Sequence, residues 1–326
     1  MNVLVTGGAG YIGSVTVEAL VEGGHRVVVL DNLSTGHRAA VHPEATFVLG
    51  DIRDRELVRR LVDEHRLEAT LHFAAVSLVG ESMQQPGKYF GNNTAGTLDL
   101  LDALVEGGAN RFVLSSTAAL FGTPDSVPID EDAAIRPESV YGESKYLLER
   151  ALHWLSATAG LGYATLRYFN AAGASDCYGE DHRPETHLIP LVLEVAQGKR
   201  EAIQVFGDDY DTPDGSCIRD YIHVRDLARA HVLALEALRP GEERRYNLGN
   251  GKGFSVYEVI DVCRRVTGRE IPVQVAPRRA GDPGILVANS GRIGQELGWT
   301  PEFRELEEVV FSAWKWRERN PHGYEE

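Results

Sequence analysis

Residues 1–13, Met1-Asn2-Val3-Leu4-Val5-Thr6-Gly7-Gly8-Ala9-Gly10-Tyr11-Ile12-Gly13, decide the fold. A β-branched run breaks off at a glycine-rich turn, and an amphipathic stretch, Ile12–Val21, opens directly behind it. The glycines fit G-x-G-x-x-G through Gly8, Gly10 and Gly13, and G-x-x-G-x-x-G through Gly7, Gly10 and Gly13. Absent side chains let the backbone turn tightly and approach a pyrophosphate, while the helix N-terminus offers N–H donors and partial positive charge. Glycine also simply makes turns, so context decides. Asp31 stands 18 residues beyond Gly13, at the end of the next β-branched run. A carboxylate there accepts from the adenosine ribose and repels a 2′-phosphate, which favours NAD over NADP. The other reading of Asp31 is a turn or cap residue, followed as it is by Asn32 and Ser34-Thr35-Gly36. Strand, turn, helix and acid in this order point to dinucleotide binding. Asp51-Ile52 ends a third run and can pack on the adenine, although an N-cap for the helix at Arg55 is equally open to Asp51.

Outward from this unit, strands are predicted at Val3–Thr6, Arg26–Leu30, Thr46–Leu49, Thr70–Phe73, Phe112–Ser115 and Ala164–Tyr168. Helices are predicted at Ile12–Val21, Arg55–Glu64, Ala95–Val105 and Lys145–Ala157. Such alternation makes an α/β fold, a parallel sheet covered on both faces by helices, with ligands at the carboxyl ends of its strands. After Asn170 the rhythm changes. Loops rich in Gly, Asp and Pro cover Gly173–Pro184 and Gly207–Gly215, and short helices follow near Thr186–Gln197, Val224–Leu238, Val256–Thr267 and Leu306–Arg319. Residues 1–170 thus read as the dinucleotide-binding domain and 171–326 as a smaller one completing a cleft. Asp226–Leu238 followed by Arg245-Tyr246-Asn247-Leu248 can return to extend the sheet, so about 224–250 belongs to either half.

With 326 residues, 43% of them hydrophobic and 25% charged, the chain is an ordinary globular protein. Its net charge of -15 argues against nonspecific binding to nucleic acid or anionic membrane. The first residues read as a strand rather than a secretory signal, and no apolar run approaches a membrane span. Cys177, Cys217 and Cys263 are widely spaced, which suits free thiols in a reducing cytoplasm. There is no H-E-x-x-H, no C-x-x-C and no G-x-S-x-G, and the histidines are scattered, so no metal site is expected. Asp130-Glu131-Asp132 reads as a solvated loop.

The candidate chemistry lies in Tyr141-Gly142-Glu143-Ser144-Lys145, which puts a phenol and an ammonium on one face of a helix start. A free tyrosine titrates near ~10, so acting as a base at neutral pH needs about 4 kcal/mol of differential phenolate stabilisation. A neighbouring Lys⁺ and the positive nicotinamide ring can both supply it, and the lysine can also hold the nicotinamide ribose. Ser115-Ser116-Thr117 ends the strand after Arg111, and Thr117 would offer a hydroxyl to the oxygen that Tyr141 deprotonates. Arg219 followed by Asp220 reads, on its own, as a surface ion pair.

At these residues the sequence resembles the extended short-chain dehydrogenase/reductase superfamily and, within it, the UDP-glucose 4-epimerase family. The resemblance runs nearly end to end. It includes Thr6–Gly13, Leu30–Leu33, Gly50–Ile52, His72–Ala74, Val79–Ser82, Asn92-Asn93, Ser115–Thr117, Tyr141–Lys145 and Arg167–Asn170. Phe206–Tyr210, Arg219–Val224, Tyr246–Gly249 and Arg278–Asp282 are its more telling parts. The resemblance implies a Rossmann-type doubly wound sheet with a smaller C-terminal α/β substrate domain, and NAD as cofactor. It implies interconversion of UDP-galactose and UDP-glucose by transient oxidation at sugar C4 to a 4-keto intermediate, which rotates and is reduced from its other face. Tyr141, Lys145 and Thr117 would be catalytic. Gly7, Gly10, Tyr11, Ile12, Gly13, Asp31, Asn32, Asp51, Ile52, Phe73, Ala74, Asn92, Ser115 and Tyr168 would join Tyr141 and Lys145 around the cofactor. Phe169, Asn170, His187, Leu188, Val205, Phe206, Arg219, Arg279, Asp282 and Leu286 would join Thr117 and Tyr141 around the UDP-sugar. Arg219 and Arg279 would sit on the diphosphate, and the Phe206 segment beside the uracil.

Departures from the family's commonest pattern are Thr117 for serine, Ser77 for a lysine near the cofactor phosphates, and Phe121 for tyrosine. His187 replaces an asparagine, and Leu286 stands where a bulky tyrosine closes the sugar pocket in some relatives. The shorter Leu286 leaves room for UDP-N-acetylhexosamines (UDP-GalNAc and UDP-GlcNAc). A dehydratase of the superfamily would carry Asp-Glu after the threonine, whereas Ala118-Ala119 follow here. UDP-pentose epimerisation and a non-catalytic NAD sensor are the other readings. Surplus apolar residues on Ala95–Val105 (Leu98, Leu100, Leu101, Leu104, Val105) and on the Lys145 helix (Leu147, Leu148, Leu152, Leu155) suggest a helix-bundle homodimer.

Overall fold

A computed structural model describes residues 1–279 and 282–325; Ala280 and Gly281 of the Arg278–Asp282 motif lie outside them. Strands β1 (Asn2–Thr6), β2 (Arg26–Asp31), β3 (Thr46–Leu49), β4 (Ala69–His72), β5 (Arg111–Thr117), β6 (Gly162–Tyr168) and β10 (Glu243–Leu248) form one sheet. Every pairing in it is parallel, in the order β10-β6-β5-β4-β1-β2-β3. Sequence order reverses between β1 and β4, which is where such sheets open a ligand crevice. Strands buried on both faces need apolar residues of both parities. Val3 and Val5 enter one core with Val17, Leu20, Leu227 and Ala234 from the helices Tyr11–Glu22 and Val224–Ala237. Leu4 faces the other core, with Leu61, Leu100, Leu104, Leu148 and Leu152 from the helices Arg55–His65, Gly96–Glu106 and Val140–Ala159.

The remaining strands build the second half. Strands β7 (Asn170–Ala172), β9 (Ile218–His223), β11 (Gly253–Ser255) and β13 (Ile285–Leu286) form a small mixed sheet, while β8 (Ile203–Phe206) and β12 (Val273–Ala276) pair in parallel. Ile189, Val192, Val205, Tyr221, Val259, Ile260 and Val309 make a separate core among the helices Leu188–Ala196, Val256–Thr267 and Leu306–Arg319. These short strands escape a periodicity reading. Among the described residues no helix is long and apolar enough to cross a membrane.

Several boundaries move for physical reasons. The helix expected from Lys145 starts at Val140, because the Ser139 hydroxyl accepts from the Gly142 N–H (3.1 Å) as an N-cap. The helix expected from Ala95 is preceded by a π-helical turn, Phe90–Ala95. Most of the apolar surplus on these two helices is consumed internally. Leu100, Leu101, Leu104, Leu148 and Leu152 are buried, and Leu98 (38%) and Trp154 (62%) are the large apolar side chains exposed there. The Asp130–Asp132 segment is not a solvated loop throughout. Glu131 is buried, its Oε1 accepting from the Asn247 N–H (2.9 Å), and so braces β10.

Beneath the sheet's carboxyl end lies a buried ion pair. Arg167 on β6 forks onto Glu149 of the helix Val140–Ala159, with Nε–Oε1 at 3.0 Å and Nη2–Oε2 at 2.5 Å. Glu149 Oε1 also accepts from the Ser116 hydroxyl (2.7 Å), and Arg167 Nη1 donates to the Glu131 carbonyl (3.1 Å). Breaking such a pair from one side leaves a buried, uncompensated charge. Arg167→Met is therefore expected to cost about 3–5 kcal/mol of stability in urea unfolding, with most of the loss recovered in Arg167→Met/Glu149→Met. Equal losses in the single and double variants would contradict this.

Candidate active site

The cofactor turn is shaped by close backbone contact. Gly7 has φ +73°, and a Cβ there would lie 2.5 Å from the Ala74 nitrogen. A Cβ at Gly13 would lie 2.2 Å from the Gly7 carbonyl oxygen, so side chains are excluded at both positions. Gly10 N–H closes the turn on the Gly7 carbonyl (3.1 Å). Tyr11, Ile12 and Gly13 then form the first helical turn, whose N–H groups have no partner inside the helix. The Tyr11 side chain points elsewhere, its hydroxyl donating to the Gly173 carbonyl (2.7 Å).

Asp31 ends β2, where its carboxylate accepts from the Ala9 (2.9 Å) and Leu33 (2.8 Å) N–H groups. It thus does the turn work of its alternative reading while standing at the cofactor edge. Burial raises its pKa, and the two N–H groups oppose the rise. Asp51 is no helix cap, since Asp54 caps the helix Arg55–His65. Asp51 instead forks with Arg53 (2.8 Å twice), which lowers its pKa to about 2, and accepts from Asn32 (3.1 Å). Ile52 is buried with Leu30 and Leu57. The Phe73 and Ala74 N–H groups both donate to the Thr6 carbonyl, drawing the ends of β4 and β1 together. Asn92 lies in the π-helical turn and donates to Asn93 (3.2 Å). Asn93, in turn, ties Val76 (2.9 Å) to Ser144 (3.2 Å).

The capped helix start sets Tyr141 and Lys145 one turn apart against β5. Lys145 Nζ donates to the Ser115 carbonyl (2.9 Å), and Ser115 Oγ lies 2.8 Å from the Tyr168 hydroxyl. Burial pulls the Lys145 pKa down to about 8, against the pull of Glu149. Burial pushes Tyr141 well above the usual tyrosine value, helped by Tyr168 and opposed by the Thr117 hydroxyl. Tyr141 is thus held as a neutral phenol, and Lys145 donates to a backbone carbonyl. Thr117 ends β5, where its Oγ1 also accepts from the Ala119 N–H (3.1 Å).

The second half contributes β9. Arg219 and Asp220 are not a pair, because strand neighbours face opposite ways. Arg219 donates to Asp282 and to the Ile218 carbonyl, while buried Asp220 accepts from the Asn250, Gly251 and Ala288 N–H groups at 2.7–3.0 Å. Burial raises Asp220 to about 6. Leu286 pairs in register with Arg219 and packs with Ala118, Phe121 and Phe169. Asn170 lies on β7 opposite Tyr221. The Arg279 guanidinium stacks 3.9 Å over the Phe206 ring, at the end of β8 beyond buried Val205. His187 is the N-cap of the helix Leu188–Ala196, with Leu188 against the separate core of the second half.

Sequence reasoning missed the Glu149–Arg167 pair, the Asn93 bridge and one further cluster. His182 and His187, scattered by eye, meet Glu180 and Glu185 in space. Partial burial disfavours their charge, but the two carboxylates outweigh it and lift His182 to about 9 and His187 to about 10. The E-x-H-x-x-E-x-H spacing was the available signal.

Residues 3–249 match the NAD dependent epimerase/dehydratase family. A UDP-glucose 4-epimerase of Halalkalibacterium halodurans is 54% identical over 99% of this chain and 98% of its own length. The chain belongs to the UDP-glucose 4-epimerase family. A crystal structure of a UDP-glucose 4-epimerase superposes on it with a TM-score of 0.97, at 51% identity over 100% of both chains. The UDP-glucose 4-epimerase of Bifidobacterium longum, solved with NAD⁺ and UDP, gives 0.95 at 36% identity, over 99% of this chain and 100% of that one.

The Lys145 shift has a thermodynamic sign. A folded pKa near 8 against 10.5 unfolded means the folded state binds fewer protons between those values, so stability gains as pH rises through that window. Lys145→Met is therefore expected to stabilise the cofactor-free protein at pH 7, by up to about 3 kcal/mol. The advantage should fade from pH 8 to 10.5. Chemical denaturation of both proteins across that range checks it, and a pH-independent difference would refute it.

Proposed function

We propose that this chain is an NAD-dependent isomerase interconverting UDP-galactose and UDP-glucose through a 4-keto intermediate. The observation that carries this reading is the meeting of Tyr141, Lys145 and Thr117 at the carboxyl end of β5. The glycine turn, which a Cβ would fill, and the Asp31 carboxylate fit NAD. Bound there, NAD supplies reversible two-electron acceptance from sugar C4. Tyr141 takes the proton of the 4-hydroxyl and returns it after the sugar has turned, and Thr117 hydrogen-bonds the same oxygen. Lys145 would hold the nicotinamide ribose and keep positive charge beside the phenol. Burial holds Tyr141 as a neutral phenol, so a positive nicotinamide ring beside it would favour its ionisation.

Gly7, Gly10, Tyr11, Ile12 and Gly13 would cradle the pyrophosphate through backbone N–H groups. Asn32, Asp51, Ile52, Phe73 and Ala74 would flank the adenosine, with Asn92, Ser115 and Tyr168 toward the nicotinamide end. Arg219 and Arg279 would fork onto the diphosphate, concentrating positive charge in an acidic protein. Asn170, Phe206 and Asp282 would fix the uridine, and Phe169, Leu188 and Val205 the walls. His187 turns Nδ1 to the glutamates, which leaves Nε2 as its substrate-facing nitrogen. Residues 1–170 would form the cofactor domain and 171–326 the substrate domain, with 224–250 packed on the first sheet. The exposed Leu98 and Trp154 support a homodimer through the helices Gly96–Glu106 and Val140–Ala159, and three unlinked thiols support a cytoplasmic location.

UDP-galactose incubated with the protein, without added oxidant, should yield UDP-glucose at equilibrium. Tyr141→Phe should lower kcat by about 10²–10⁴-fold. Unchanged turnover in that variant would exclude Tyr141 as the base. We further propose that the space beside Leu286 admits UDP-GlcNAc. Leu286→Tyr should then abolish UDP-GlcNAc turnover while leaving UDP-galactose turnover largely intact, and a wild-type protein inert toward UDP-GlcNAc would refute the idea.

A further inference from the structure

The segment between β7 and the helix Leu188–Ala196 brings Glu180, His182, Glu185 and His187 to one point, each with a ligand atom within 4.8 Å of the others. His187 Nδ1 lies 2.8 Å from Glu180 Oε1 and 3.1 Å from Glu185 Oε1. His182 Nδ1 lies 3.2 Å from Glu180 Oε1 and 3.8 Å from Glu185 Oε2. A tetrahedral zinc with bonds of about 2.0–2.2 Å has ligand–ligand edges of roughly 3.3–3.6 Å; the four His–Glu separations, with Glu185 offering Oε1 to His187 and Oε2 to His182, bracket that range, and one atom from each residue lies within 4.8 Å of the rest. We propose that the four side chains form a binding site for a divalent first-row metal of the zinc class.

A second observation points the same way. Glu185 Oε2 is buried without a hydrogen-bond partner, and buried His182 Nδ1 stands beside Glu180 Oε1 (3.2 Å) without hydrogen-bond geometry. The Glu185 side chain is only 4% exposed, and its other oxygen already accepts from the Thr186 (2.7 Å) and His187 (2.9 Å) N–H groups. Arg317 Nη2 stands 3.9 Å from Oε2, beyond hydrogen-bonding range. Buried polar atoms left unsatisfied are costly, and a cation at this point would engage both. Two imidazoles and two carboxylates are a donor set that zinc accepts and that also suits cobalt. Two carboxylates also neutralise the ion, and it enters as bound protons leave.

With four protein ligands such a site is closed, which makes it structural rather than catalytic. Its surroundings say what it would hold. The His182 ring meets the Tyr11 ring edge-on at 6.2 Å, His37 Nε2 bonds the Asp181 carbonyl (2.9 Å), and the Tyr324 N–H donates to the Asp181 carboxylate (3.0 Å). The metal clasps this segment onto the helix behind the glycine turn and onto the C-terminal residues.

The test uses the full chain as purified, stripped with chelator, and then titrated with ZnCl₂ by calorimetry and with CoCl₂ in the visible. One zinc should bind per chain with proton release, and cobalt should give the intense absorption of a four-coordinate ion. Zinc in 100-fold excess over its Kd should raise Tm by a few degrees. Glu185→Gln and His182→Phe, the latter keeping a ring against Tyr11, should each weaken zinc binding by about 100-fold or more. No stoichiometric zinc uptake by the wild type, a weak six-coordinate cobalt spectrum, or undiminished uptake in both variants would each overturn the proposal. The wild-type measurements decide the matter even if a variant fails to fold.

Discussion

The Glu149–Arg167 pair is the constraint on which the site depends. It spans the helix that carries Tyr141 and Lys145 and the strand that ends in Tyr168, and through Ser116 it reaches the strand that ends in Thr117. One desolvated carboxylate thus ties together three elements, the helix Val140–Ala159, β6 and β5. Glu149 lies one turn beyond Lys145 and also partly offsets the burial that depresses the lysine. Removing its charge would therefore disturb both the placement of the site and its protonation. An ion pair this deep is weak evidence of net stability, since apolar replacements often do as well. Its value here is positional.

The electrostatics of the reactive groups follow from the same burial. A buried phenol resists ionisation and a buried ammonium tends to lose its proton. Burial thus holds Tyr141 as a phenol, while Lys145, lowered only to about 8, still carries its charge at neutral pH. Of the two, only the depressed Lys145 costs stability at neutral pH, since the Tyr141 phenol is protonated there in the folded and unfolded chain alike.

The first half of the fold was legible because it is written in local patterns: an apolar run, a glycine turn, a periodic helix and an acid at strand end. Tyr141 and Lys145 were legible for the same reason, although the true helix start depended on Ser139, whose capping role is invisible until the turn forms. What stayed hidden was settled by tertiary pairing. Arg219 and Asp220 look like an ion pair until β9 is placed between its neighbours, and the pleat then sends them to opposite faces. Glu131 looks solvated until Asn247 arrives from more than a hundred residues away. His182 and His187 looked unrelated because the loop that gathers them has no periodicity to read. The apolar surplus on two helices overstated what is left for a partner, because the internal core takes most of it.

The return of the chain at β10 carries a consequence for how the molecule can be divided. A fragment ending near residue 170 would retain β6 but lack the strand that covers it. It would then present an open row of N–H and C=O groups along Tyr163–Tyr168, flanked by the apolar side chains of Ala164 and Leu166. Such an edge invites pairing with any extended chain, including another copy of itself. Nascent chain emerging in order passes through this state before Glu243–Leu248 is made. The acidic character of the whole protein acts against self-association during that interval, by mutual repulsion of identical unfinished chains.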